Sequence, residues 1–87
     1  RQNLGKKKLF LNKLNLLVSH KDFLNNILVK VRSTGKLLDA KLDFREKGNA
    51  EVNLKIPEDG ISPGQACVFY SKDNLGYKVL GGGWITN

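Results

Sequence analysis

Hydrophobic and polar residues alternate with a period of two along three stretches of the chain, residues 27–33, 37–45 and 50–56. This alternation is typical of a β-strand that has one face in a core and the other in solvent. The side chains predicted to point inward are Ile27, Val29, Val31, Leu38, Ala40, Leu42, Phe44, Ala50, Val52, Leu54 and Ile56.

Apolar runs at residues 9–18, 65–71 and 77–86 predict three further strands. The links at 34–36 and 46–49 are short, so the strands on either side of each link are expected to be antiparallel neighbours. The only helical candidate is residues 20–26, where Ser19 could cap a single turn. Six short strands predict an all-β fold, a small closed or nearly closed antiparallel barrel, because closure removes the exposed edges of a sheet.

Two motifs near the end of the chain call for glycine. Pro63 and Gly64 suit the second and third positions of a type II turn, which predicts a tight corner over residues 62–65, ending at Gln65. Gly81, Gly82 and Gly83 precede Trp84 inside a strand, where glycine costs stability. A phosphate-binding loop would lead into a helix, and only residues 84–87 follow. We expect a bulge or bend that closes the barrel, the alternative being close approach of another chain.

The composition describes one small domain with little room for a deep active site. Its 87 residues include 15 basic and 8 acidic ones, and the net charge of +7 suggests an anionic partner, RNA or DNA before membrane. Alternatively, the lysines only maintain solubility. The single cysteine excludes an internal disulfide, and no stretch approaches ~20 apolar residues, so we expect a cytoplasmic protein without a membrane partner. The absence of methionine suggests a domain of a larger protein.

Five basic residues are predicted to point outward from three consecutive strands and to meet RNA phosphates. They are Lys30, Arg32, Lys41, Arg45 and Lys55. Asp39, Asp43 and Glu51 lie on the same faces, so cross-strand charge pairs are the alternative. Tyr70, Tyr77 and Trp84 could stack on bases, although Phe69 and Trp84 are expected to lie in the core or at its rim.

No catalytic or metal-binding residue is predicted. Cys67 lies in the middle of a strand without a neighbouring base, so we interpret it as a small buried residue rather than a nucleophile. His20 has no second histidine, cysteine pair or acidic cluster at metal-ligand spacing and is expected to be a solvated loop residue.

Residues 62–85 resemble the C-terminal end of the bacterial tRNA-specific 2-thiouridylases. The shared features are a Pro-Gly-Gln turn, an apolar strand that ends in Phe-Tyr, a variable loop, and Val-Leu-Gly-Gly-Gly-Trp-Ile at residues 79–85. A looser similarity covers residues 9–17 and 29–44. Ser33 and Thr34 depart from the family pattern, and this departure bears on any RNA contact at that position.

The resemblance implies a translation-factor-like barrel that helps bind and orient tRNA, while the parent enzyme uses ATP and Mg to 2-thiolate the wobble uridine. Its implied partners are tRNA, the N-terminal and central domains, and a sulfur-relay donor protein. Residues 1–8 would then form the junction with the central domain, where Lys6, Lys7 and Lys8 form a second candidate RNA contact or a solvated tail.

The chain lacks the family's pyrophosphate loop and cysteine motifs, so we expect it to hold no cofactor and to be inert alone. Two alternatives remain: a free-standing basic barrel that binds RNA, and a protein-docking module. Docking would be favoured if acidic residues neutralised the basic face and an apolar patch were exposed.

Overall fold

A computed structural model describes residues 5–23, 26–31 and 35–86. Six strands account for most of this part of the chain: β1 (Lys6–Leu16), β2 (Ile27–Lys30), β3 (Leu38–Phe44), β4 (Ala50–Glu58), β5 (Ala66–Asp73) and β6 (Gly76–Ile85). A 3-10 helix, His20–Phe23, precedes β2. None of the helical residues within these ranges forms a segment long enough to cross a bilayer.

The six strands form a closed antiparallel barrel in the order β1-β4-β3-β2-β5-β6, with β6 pairing back onto β1. The predicted all-β barrel is therefore confirmed, as are the two antiparallel neighbours joined by short links. The link between β3 and β4 contains a two-residue turn, and the positive φ angles of its residues Lys47 (59°) and Gly48 (74°) suit the right-handed twist of a hairpin.

The barrel interior contains the residues that the alternation assigned to it, with the exception of Ile56. The buried apolar side chains are Leu9, Leu11, Phe23, Ile27, Val29, Val31, Ala40, Ala50, Val52, Leu54, Ile61, Cys67, Phe69, Leu80 and Ile85. Leu38, Leu42 and Phe44 are half-buried and pack against this core. The prediction was wrong for Ile56, which is 71% exposed, because it lies beyond Leu54, the last β4 residue in register with β3.

The predicted helical turn is a single 3-10 turn that the core anchors through Phe23. The backbone amide of Asp22 donates a hydrogen bond to the carbonyl of Ser19 (3.1 Å). Phe23 is 4% exposed and meets Phe69 edge to face. His20 remains on the surface, where its ring stacks on Phe44 with 3.9 Å between the ring centroids.

The predicted tight corner lies between residues 62 and 65. Gly64 has a φ of 92°, and the amide of Gln65 donates to the carbonyl of Ser62 (3.3 Å). The Gln65 side chain fixes the preceding loop, because its Nε2 donates to the Gly60 carbonyl and its Oε1 accepts from the Ser62 amide. The Gly64 amide also donates to the Ile85 carbonyl (2.8 Å), which joins the corner to the end of β6.

The glycine triplet lies where β6 is paired with both β1 and β5. The register of β5 and β6 shifts between Phe69 and Tyr70, which places a bulge beside Gly81, whose φ is 143°. A Cβ on Gly81 would collide with the Asn15 carbonyl oxygen, and one on Gly82 would lie 2.7 Å from the Cys67 carbonyl oxygen. The strand therefore needs glycine for a bulge at one position and for close approach of its own neighbours at the next.

Candidate nucleic-acid interface

Closure of the barrel divides the predicted basic stripe between two surfaces. The outward side of β1, β4 and β3, with the start of the following turn, forms what we call the charged face. Its charged residues are Lys8, Asp39, Lys41, Asp43, Arg45, Glu51 and Lys55. Lys30 lies instead on β2 opposite Val68 of β5, and Arg32 is outside the described residues.

Glu51 organises the charged face. Its side chain is only 8% exposed because it accepts hydrogen bonds from the cations on either side. Arg45 donates from Nη2 to Glu51 Oε1, and the Lys8 ammonium lies 3.1 Å from Oε2. Arg45 is also 3.7 Å from Asp43. Two of the candidate phosphate contacts are thus engaged in ion pairs within the barrel.

These contacts perturb the ionisation of both partners. The hydrogen bond from Arg45, followed by the one from Lys8, lowers the pKa of Glu51 below the ordinary value of 4.5. The hydrogen bond and charge of Glu51, with a smaller effect from Asp43, raise the pKa of Arg45. The network therefore stays ionised at neutral pH and offsets part of the positive charge on this face.

Lys41 and Lys55 are exposed cations of the charged face that Glu51 does not engage. They line an open cavity of about 290 Å³ together with Asp39 and Asn53. Within the described ranges, neither ammonium group forms an ion pair, in contrast to Lys8 and Arg45. Of the predicted stripe, these two lysines are best placed to meet an anion from solvent.

The second predicted cluster belongs to a strand rather than to a tail. Strand β1 begins at Lys6, three residues before the predicted start. The backbone of Lys6 is in register with Glu58 of β4. Lys7 is exposed, whereas Lys8 pairs with Glu51. The strand extends this far because β4 continues to Glu58 and offers backbone partners for it.

The outward side of β5 and β6 forms a second surface, which we call the aromatic face. Its residues are Ala66, Val68, Tyr70, Lys72, Tyr77, Val79, Gly82 and Trp84. Tyr77 is 57% exposed and Trp84 49% exposed, whereas Phe69, which points inward, is fully buried. Phe69 is therefore a core residue and Trp84 a rim residue. The alternation of Ala66, Val68 and Tyr70 with buried neighbours could have indicated this surface from sequence.

Lysines accompany the aromatic side chains of this face. The Lys30 ammonium lies 5.9 Å from the ring centroid of Tyr70, and the Lys72 ammonium lies 5.7 Å from that of Tyr77. Beside Trp84, the glycine triplet leaves a shallow groove of about 270 Å³. Exposed Leu17 and Val79 flank this groove, and Lys13 lies at its edge.

Residues 6–85 match the family described as the aminomethyltransferase β-barrel domain. The chain belongs to this family. Similar proteins include the tRNA-specific 2-thiouridylases MnmA of Ruegeria pomeroyi (50% identical over 60 residues) and Dinoroseobacter shibae (54% over 59 residues). The matches cover 69% and 68% of this chain but only 16% and 15% of those relatives. The resemblance seen in the sequence is confirmed, and the chain corresponds to a small part of each longer relative.

The described residues of this aminomethyltransferase β-barrel domain do not arrange the glycine triplet as a phosphate-binding loop. Backbone pairing with β1 and β5 occupies the glycine triplet, which leads into a strand rather than a helix. Within the described ranges, no three His, Cys, Asp or Glu side chains are grouped as metal ligands. Cys67 is fully buried, and burial raises the pKa of its thiol to about 12, as expected for a small core residue rather than a nucleophile.

Proposed function

We propose that this domain is the tRNA-facing barrel of a tRNA-specific 2-thiouridylase. In this role it helps bind and orient tRNA for ATP-dependent 2-thiolation of the wobble uridine. The observation that carries the proposal is the identity of about half of the aligned residues to 2-thiouridylases. The net charge of +7 supports it, because a basic domain of this size suits a polyanionic partner.

In this proposal the chemistry belongs to other parts of a longer protein. ATP, Mg and a sulfur-relay donor protein would act there, as the resemblance implies, and the barrel would supply affinity and orientation in the cytoplasm. Phosphate contacts fix the register of a nucleic acid without reading its bases. The barrel would therefore strengthen binding of different tRNAs alike.

Lys41 and Lys55 are the residues we propose as the main phosphate contacts of the charged face. Their ammonium groups are exposed, and they flank a cavity whose other polar residues include Asn53. Lys30 and Arg32 would extend the contact. Arg45 has the carboxylate of Glu51 as its partner, so its proposed share of the binding free energy is smaller.

A salt titration of tRNA binding by the 87-residue chain tests this proposal. The variant Lys41→Gln/Lys55→Gln removes two charges, and Lys21→Gln/Lys47→Gln removes the same number from exposed positions outside the charged face. Each lost phosphate contact is expected to reduce the slope of log K against log salt by ~0.7 to 0.9. We expect the first variant to lose up to two contacts and the control none. Equal slopes for the two variants would contradict the assignment.

A protein-docking module is the second candidate. Docking was expected if acidic residues neutralised the basic face and an apolar patch were exposed. Part of this condition is met, because Glu51 forms ion pairs with Lys8 and Arg45. The apolar side chains of Leu17 and Val79 are also exposed. This candidate predicts that the wild-type chain binds tRNA no more tightly than a neutral domain of similar size. The same titration distinguishes the two functions through the wild-type measurement.

A further inference from the structure

We propose that the aromatic face binds unpaired nucleotides of RNA by stacking their bases on Tyr77 and Trp84. This inference rests on the proposed function, because it names a second mode of contact with the same class of partner. Unpaired bases are recognised in RNA by stacking on aromatic side chains, whereas paired bases are already stacked on one another. Tyr77 and Trp84 each expose about half of their surface, so part of each ring is accessible to a base.

The pairing of rings with lysines matches the two chemical parts of a nucleotide. Lys72 is in register with Tyr77 across β5 and β6, and its ammonium lies 5.7 Å from the ring centroid. Lys30 of β2 is in register with Val68 rather than with Tyr70, and its ammonium lies 5.9 Å from the ring centroid of Tyr70, the next outward residue of β5. A base on the ring and a phosphate on the neighbouring ammonium can therefore be bound together, because a nucleotide carries both groups.

The length of the aromatic face suits several nucleotides in a row. Trp84 is opposite Ala66, and Tyr77 is opposite Lys72. The step from Ala66 to Lys72 along β5 is six residues, which corresponds to about 20 Å at ~3.4 Å per residue. Gly82 lies between them and has no side chain, so nothing from that position projects over the groove beside Trp84. A single strand can follow this path without meeting a bulky side chain at Gly82.

Charge favours RNA over an apolar protein segment as the occupant. Away from the turns that connect the strands, two charged side chains lie at the described outward positions of β2, β5 and β6. Both are lysines, Lys30 and Lys72. The adjacent carboxylate belongs to Asp73, the last residue of β5, and accepts a hydrogen bond from the backbone amide of Leu75 in the turn. The charged face, in contrast, contains three carboxylates among its cations. Docked protein would have to bury the lysines of the aromatic face, whereas phosphates would pair with them.

Trp84 provides a direct test because it is the single tryptophan of the chain. Titration with a single-stranded RNA of about ten nucleotides, within the usual site size, is expected to quench its fluorescence as bases stack. A fully paired duplex of the same sequence is expected to quench it much less. Tyr77→Ala retains the Trp84 reporter, and loss of one stacked base is expected to weaken single-strand binding ~5- to 150-fold.

Matched variants separate stacking from charge. Lys72→Gln removes one phosphate contact, so it should weaken binding and reduce the slope of log K against log salt by ~0.7. Tyr77→Ala should weaken binding with little change in this slope. Ile56→Ala is the control, because Ile56 is 71% exposed on β4, away from the aromatic face. Circular dichroism melting confirms that each variant folds.

Two results would overturn the inference. One is an unchanged Trp84 emission on saturation with the single strand. The other is equal single-strand affinity for wild type, Tyr77→Ala and the Ile56→Ala control. If the wild type nevertheless binds tRNA through Lys41 and Lys55, the proposed function stands, and the aromatic face is a surface for protein docking instead. If tRNA does not bind at all while the single strand quenches Trp84, the proposed function fails and the stacking surface remains.

Discussion

Substitutions in the glycine triplet test whether close approach of neighbouring strands, and not only a bend, requires these residues. Gly81→Ala would place a methyl group against the backbone of Asn15 and Leu16 at a φ of 143°. Gly82→Ala would place one 2.7 Å from the Cys67 carbonyl oxygen without a positive φ. Gly76 provides the matched control, because its φ is 124° but nothing lies within 4 Å of a Cβ there.

The three sites separate two costs. A side chain held at an unfavourable positive φ costs about 1–3 kcal/mol, which is the whole effect expected for Gly76→Ala. Overpacking against a backbone that cannot move away costs about 1–3 kcal/mol, which is the effect expected for Gly82→Ala. Gly81→Ala combines both costs, so it should lower the free energy of unfolding by about 2–6 kcal/mol. The whole free energy of unfolding of a chain of this length is about 4–13 kcal/mol. Gly81→Ala should be the most destabilising and can unfold the domain.

Thermal unfolding followed by circular dichroism measures the ranking. At ~4–8 °C per kcal/mol for a domain of this size, Gly76→Ala and Gly82→Ala should each lower the Tm by roughly 4–24 °C. Gly82→Val should exceed Gly82→Ala, since a branched side chain adds bulk at the same contact. The reasoning is refuted if Gly81→Ala and Gly76→Ala have the same Tm, because the contact with Asn15 and Leu16 would then cost no stability. It is equally refuted if Gly82→Ala has the same Tm as the wild type.

Two further predictions concern buried or paired titratable groups. Contacts that lower the pKa of Glu51 below 4.5 stabilise the fold above that pH and are lost as pH falls through the folded-state pKa. The Tm of the wild type should therefore exceed that of Glu51→Gln at pH 7, and the difference in Tm should shrink as the pH falls below 4.5. A difference in Tm that stays constant with pH would contradict this prediction. The buried Cys67 thiol should resist alkylation at neutral pH until the chain unfolds, and Cys67→Val should change stability by less than about 1.5 kcal/mol. Rapid labelling of the folded chain would exclude this interpretation.

The sequence predicted the inward and outward sides of the strands well, because one buried face imposes a period of two. Val29 and Val52 are fully buried as the alternation required. The pattern failed where burial depends on a neighbour that is distant in sequence. Ile56 continues the alternation but lies beyond the β3 register, and Glu51 occupies an outward position yet is 6% exposed under Lys8 and Arg45. Neither outcome follows from the local pattern, because both depend on strand order.

Closure of the barrel explains why one predicted stripe became parts of two surfaces. Residues 30, 41 and 55 come from β2, β3 and β4, which are neighbours in the sheet, but closure curves the sheet and pairs the other edge of β2 with β5. In the ring β1-β4-β3-β2-β5-β6, β4 stands opposite β5 and β3 opposite β6. Lys41 and Lys55 therefore face away from Tyr77 and Trp84, and a rigid helix of RNA cannot lie flat on both faces at once. If both proposals hold, a bound RNA must present phosphates to one side of the barrel and an unpaired segment to the other, or two RNA segments must bind. Saturating the aromatic face with a single strand should then leave Lys41- and Lys55-dependent binding of a duplex largely intact.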